Sequence, residues 1–191
     1  FNPNFIDAPF MSNHDMDRII KQVGENDARI AAEILLTLPG NPFIYYGDEI
    51  GLYGTRTNML FGDYYDSLFA NYEDRNVATV SEQLIDPDSL LNSYISLGQT
   101  RQNSLALSYG EFAPYNANSL QGYYRYFENG QDKELVIVLF NFSSVSHKPI
   151  PEEFTSYEIL YKTFESNFGG ISPRGMMILR LPYSLKDDLI S

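Results

Sequence analysis

The 191-residue chain has no cysteine, no tryptophan and only two histidines, and it carries 13 basic side chains against 25 acidic ones. Without cysteine there is no disulfide and no thiolate metal site, and the redox compartment stays open. Two histidines, His14 and His147, exclude a histidine-rich metal cluster. A net charge of -12 and a sequence pI of about 4.4 repel phosphate backbones, so nucleic acid is not an expected partner. No apolar run approaches the ~18 residues of a membrane-crossing helix, so no membrane partner is expected either. No leader peptide is visible, and a start at Phe1 rather than Met is what a processed chain, or one cut from something longer, would show. The acidic, cysteine-free composition fits a secreted protein and a cytoplasmic one equally.

What is present is ordinary for a globular protein: 43% hydrophobic and 20% charged residues, enough for one domain or two small ones. The aromatics are 15 Tyr and 13 Phe. Tyrosine can stack on a pyranose face while its hydroxyl hydrogen-bonds, but most tyrosines are expected to pack a half-buried sheet.

The chain changes character near residue 106. "APFMS" (8–12) predicts a strand, followed by a polar loop and a helix over "ENDARIAAEILLTL", where Ile30, Ile34 and Leu38 recur every four residues. Asn26 or Asp27 can cap that helix, and Pro39-Gly40 ends it. "PFIYYG" (42–47) is nearly all apolar, as in a parallel strand buried on both faces. Strand, helix and strand together form a βα unit. Residues 51–85 read as a long aromatic loop. "DPDSLLNSYISLGQTRQ" predicts a helix capped by Asp86, with Leu90, Leu91, Tyr94, Ile95 and Leu97 buried. From about 106, strands dominate: "GYYRYFE", a hairpin at Asn129-Gly130 with a loop extending through Lys133, "ELVIVLFNF", "YEILYKT" and "GMMILRLP". Short strands broken by Pro, Gly and Asn predict an antiparallel sandwich. The expected fold is α/β over 1–105 followed by a small all-β domain over 106–191.

In parallel α/β folds, functional residues sit past the C-terminal ends of strands. Asn13, His14 and Asp15 hold that place after the first strand, and Asp48 and Glu49 after the second. A carboxylate beside an imidazole can grip neighbouring sugar hydroxyls and steady positive charge on an oxocarbenium-like centre. The same residues also suit plain turns and caps. Arg18 is most simply a partner for a nearby acid, and His147 a surface residue.

"FMSNHDMDR", "LLTLPGNPFIYYGDEIG", "RTNMLF" and "DPDSLLNSYISLGQTRQ", in that order, closely resemble the C-terminal part of the α-amylase superfamily, glycoside hydrolase family 13. The resemblance extends through the β region and implies the last βα units of a (β/α)8 TIM barrel followed by a β-sandwich. It assigns Asp15 as the active-site carboxylate that binds and distorts the sugar, His14 as a hydrogen-bond partner of the same sugar, and Asn13 as the residue that orients the loop. Asp48 and Glu49 match an acidic pair at the barrel rim, with a structural role. Arg56 and Met59 match an "R-x-P-M-x-W" segment that binds substrate; here Asn58 replaces Pro and Phe61 replaces Trp. A retaining glycosidase also needs a nucleophile and a general acid roughly 5–5.5 Å apart. In the family these follow barrel strands four and five, which the resemblance places upstream of Phe1. The chain is therefore expected to be part of a hydrolase of α-1,4-linked glucans or maltooligosaccharides, inactive alone, and prone to self-associate or to need the missing barrel segment. A transglycosylase, a non-catalytic relative and a sugar-binding module are the other readings. No cofactor is expected. Calcium binds some family members through upstream loops, and Asp63 with Asp66 is too small a set for a metal here.

Overall fold

The computed structural model describes residues 6–62, 66–117, 120–167 and 169–190. The chain divides into two compact units. The first runs to Ser96 apart from Thr37–Pro39; the second is Thr37–Pro39 together with Leu97 onward. Among the described residues no helix is long and apolar enough to cross a membrane.

In the first unit, the two segments read as strands lie parallel but meet in a single bridge, Phe10 to Phe43, with Phe43 N–H donating to the Pro9 carbonyl at 2.8 Å. Gly40, at φ +100°, turns the chain back so closely that a Cβ there would sit 2.7 Å from the Asp7 carbonyl oxygen. Two full strands were expected; two extended segments are found. The 42–47 run is not buried on both faces: Phe43 and Ile44 are exposed, as is Phe10 opposite. A pleated segment needs a neighbour on each side and cover on each face to bury an unbroken apolar run, and here it has one bridged neighbour.

Between these segments lie α1 (Ile19–Val23) and α2 (Glu25–Thr37). Gly24 separates them, and its carbonyl accepts from the Asp27 and Ala28 N–H groups. Asn26 and Asp27 thus lie inside the first turn of α2 rather than capping it. Ala28, Ile30, Ala32, Leu35 and Leu36 are buried, while Ile34 and Leu38 are only half-buried.

The segment read as a long loop contains α3 (Asp66–Phe69) and α4 (Val80–Ile85). Thr79 and Glu82 form a reciprocal capping box at the start of α4. α5 (Leu90–Gln102) begins later than expected. Asp86 accepts from the Asp88 N–H in a local turn, and Ser89 Oγ takes the cap role by accepting from Asn92 N–H. Leu91, Tyr94 and Leu97 are buried as expected, but Ile95 is exposed. Ile50, Leu52, Leu60 and Leu91 form one apolar cluster of this unit.

In the second unit α6 (Leu105–Tyr109) precedes the strands and packs on the sheet. Strands β1 (Glu111–Ala117), β2 (Leu120–Asn129), β3 (Asp132–Asn141), β4 (Glu158–Lys162) and β5 (Gly175–Leu181) form one antiparallel sheet in the order β1-β2-β3-β5-β4. Pro114 falls on the edge strand β1, where a missing N–H costs least. Asn129 pairs with Asp132, so the hairpin turn is only Gly130-Gln131, tighter than expected. Gly130 sits first in the turn at φ +64°, the position where glycine is favoured when the second residue keeps a negative φ.

The expected sandwich is a single sheet among the described residues. β3 is buried on both faces: Leu135, Ile137 and Leu139 on one, Val136 and Val138 on the other. The first face is covered by Phe154 and Ile171 and by the C-terminal turn with α7 (Lys186–Leu189), in place of a second sheet.

Candidate functional site

The polar loop after Ser12 folds on itself. Asn13 Oδ1 accepts from the Asp15 N–H at 2.8 Å, a local turn that lifts the Asp15 carboxylate outward. One oxygen of that carboxylate lies 3.1 Å from His14 Nε2 and the other 3.1 Å from Arg56 Nη2. Arg56 Nε donates to the His14 carbonyl, also at 3.1 Å. The structure thus brings Asn13, His14, Asp15 and Arg56 into one cluster. The His14, Asp15 and Arg56 side chains are 61–70% exposed. An ion pair as open as Asp15–Arg56 contributes about 0–1 kcal/mol to stability, so the cluster's groups are free to meet a ligand.

Beneath the cluster lies a second, buried set. Arg18 and Asp48 are almost wholly inaccessible and form an ion pair at 3.2 Å. Asp48 also accepts from Ser12 Oγ. Burial raises the Asp48 carboxyl above the usual carboxylate range and outweighs the Ser12 and Arg18 hydrogen bonds, which lower it. Arg18 donates to the carbonyls of Tyr46, Gly54 and Thr55, and its guanidinium lies over the rings of Tyr45 and Tyr46. Asp74, fully buried, accepts the Tyr53 and Gly54 N–H groups, and the Tyr45 and Tyr46 hydroxyls donate to the Thr55 and Thr57 carbonyls. The loop that presents Arg56 is therefore held along both edges of its backbone.

Glu49 does not join either set: its Oε2 is buried without a hydrogen-bond partner. The Tyr94 hydroxyl is likewise buried and unpartnered; burial first, and then the Asp48 and Glu49 charges, raise its pKa far above the usual value. Met59 packs beside the Leu52 cluster, while Phe61 is exposed. His147 lies on the surface of the second unit. Asp63 falls outside the described residues, and Asp66 accepts the Gly62 N–H. Among the described residues no group of three or more potential metal ligands is gathered. A cavity of about 520 Å³ in the first unit is lined by Ile20, Arg29, Tyr53 and Asn76 among others, and by none of the clustered site residues.

Sequence reasoning missed Ser12, Tyr45, Tyr46 and Asp74. Ser12 could have been flagged by its place next to Asn13. Tyr45 and Tyr46 lie in the apolar run 42–47, whose pattern points to a buried strand, and Asp74 has no sequence signal beyond its charge.

Residues 2–68 match the model of the alpha-amylase catalytic domain. Alpha-amylase SusG of Bacteroides thetaiotaomicron is 35% identical over 165 residues, covering 76% of this chain and 24% of that protein. Alpha-amylase 3 of Dictyoglomus thermophilum is 29% identical over 204 residues, covering 95% of this chain and 40% of that protein. The crystal structure of an alpha-amylase from H. orenii aligns with a TM-score of 0.73 at 26% identity, covering 94% of this chain and 41% of that one. The chain spans well under half the length of each.

Proposed function

This chain belongs to the α-amylase family, and from that premise we propose that it supplies the sugar-gripping side of a retaining glycoside hydrolase acting on α-1,4-linked glucans. The observation that carries the reading is the exposed Asp15 carboxylate, oriented by His14 on one oxygen and Arg56 on the other. A fixed carboxylate accepts hydrogen bonds from adjacent sugar hydroxyls. It also stabilises positive charge on the anomeric centre, which grows toward the oxocarbenium-like transition state, so it favours that state over the ground state. His14 adds a hydrogen bond to the same sugar, Asn13 fixes the loop, and Arg56 orients Asp15 and contacts substrate.

The pair that breaks the bond is not in this cluster. Asp48 is buried against Arg18, and Glu49, half-buried with its Oε2 enclosed and without a partner, makes no bond to the cluster, so neither joins Asp15 as nucleophile or acid. Residues 1–105 would then be the last βα units of a barrel and 106–191 its C-terminal β domain. The parallel Phe10–Phe43 bridge supports this, with α2 falling between the two segments. The exposed Phe10, Phe43, Ile44 and Tyr46 are surfaces that neighbouring barrel strands would cover, or that would drive self-association where those strands are lacking.

Incubating the purified chain with maltoheptaose should release no reducing sugar. Turnover would overturn the division of labour proposed for these residues.

A further inference from the structure

Asp15 and Arg56 lie 41 residues apart, on two different loops, and both are exposed. A solvated ion pair is too weak to hold two loops in register, so their distance is set elsewhere. Ser12 and Arg18 bracket the Asn13–Asp17 loop, and both bind the same buried carboxylate: Ser12 Oγ to Asp48 Oδ2, Arg18 Nη1 to Asp48 Oδ1. One residue thus pins the loop at both ends. The rest of the Arg18 fork reaches the other loop, with Nε 2.7 Å from the Gly54 carbonyl and Nη2 3.4 Å from that of Thr55, just before Arg56. Gly54 is packed so closely that a Cβ would come 2.7 Å from Asp74 Oδ2, so this loop has little room to shift.

We infer that Arg18, held by Asp48, is the positioning residue that sets Asp15 and Arg56 at bonding distance; this rests on the reading of Asp15 as the sugar-gripping carboxylate. Arginine suits the task because its planar fork stays charged and serves several acceptors in fixed directions. Lysine, a single point charge on a flexible stem, cannot bridge both loops.

The test is Arg18→Lys, read by NMR at the Arg56 Nε–H, which donates to the His14 carbonyl. Arg18→Lys should shift that signal and speed its exchange by about tenfold, the scale of one lost hydrogen bond, while β2 and β3 amides keep their protection. Ser12→Ala frees only one end of the loop and should give a smaller change of the same sign. It carries the test if Arg18→Lys does not fold. An unmoved Arg56 Nε–H in the variant that folds would overturn the inference. The functional reading fails separately: an Arg56 signal that moves as expected, beside an Asp15→Asn enzyme of undiminished turnover, would keep the positioning role and refute the sugar-gripping one.

Discussion

Around β3 the buried groups are Leu135, Val136, Ile137, Val138 and Leu139, whereas beneath Asp15 they are Ser12, Arg18, Asp48 and Asp74. The sheet is held by apolar area shared over many side chains, so the loss of one lowers stability without moving the rest. The site is held by a few hydrogen-bonded charges: Arg18 and Asp74 each serve two or more backbone groups, and Asp48 ties Arg18 to Ser12. Removing one leaves others buried and unpaired, which is costly out of proportion to the atoms lost. The ground beneath Asp15 uses buried polarity to fix geometry, and the middle of β3 uses apolar burial for stability.

The contrast breaks most sharply at Arg18. Arg18→Met leaves Asp48 buried without its cation and should cost about 3–5 kcal/mol, measured by urea denaturation. The loss should be smaller at acid pH, because Asp48, already raised by burial, then escapes by taking up a proton. A pH-independent loss would mean that the Asp48 charge is not the cause. Leu139→Ala in the fully buried face of β3 should cost about 2–5 kcal/mol, with no such pH dependence. Equal pH responses in the two variants would erase the distinction between the two regions.

A milder probe is Thr79→Ala at the start of α4, expected to cost about 1 kcal/mol, seen as a small drop in melting temperature. The bonds from the Thr79 N–H and hydroxyl hold Glu82 below its usual 4.5. Its folded value lies below its unfolded one. The cap therefore contributes fully above the unfolded value and fades as pH falls through the folded one. Protection of the Glu82 and Gln83 amides should fall over that acid range in the native protein and by less in Thr79→Ala, which keeps the main-chain bond to Glu82 but loses the hydroxyl's. An identical pH response in both would show that the hydroxyl bond to Glu82 adds nothing to the cap.

The same contrast explains what could be read from the sequence. β3 is legible because a run such as "ELVIVLF" leaves no other way to hide its side chains. Its partner strands follow from the turns, although Asn129-Gly130 misled by one register step, with Asn129 ending β2 and glycine leading the turn. α4 was legible in the Thr79–Glu82 spacing but lost among aromatics. In the first unit, Asn13, His14 and Asp15 stood out by motif. Beneath them, Arg18 as the partner of an acid was legible too, but its reach to the second loop was not, because three of its acceptors are main-chain carbonyls, which carry no side-chain signature. The exposed Phe43 and Ile44 overturned the expectation of a doubly buried strand because burial depends on neighbours that a local run does not specify.

The most direct test of the central claim is the turnover of maltoheptaose by the enzyme in which these residues are joined to the remaining barrel strands, with and without Asp15→Asn. Removing an electrostatic stabiliser of the transition state should lower kcat by about 10²–10³ or more, with the melting temperature nearly unchanged because the Asp15 carboxylate is exposed. A variant that turns over maltoheptaose at the unmodified rate would contradict the account.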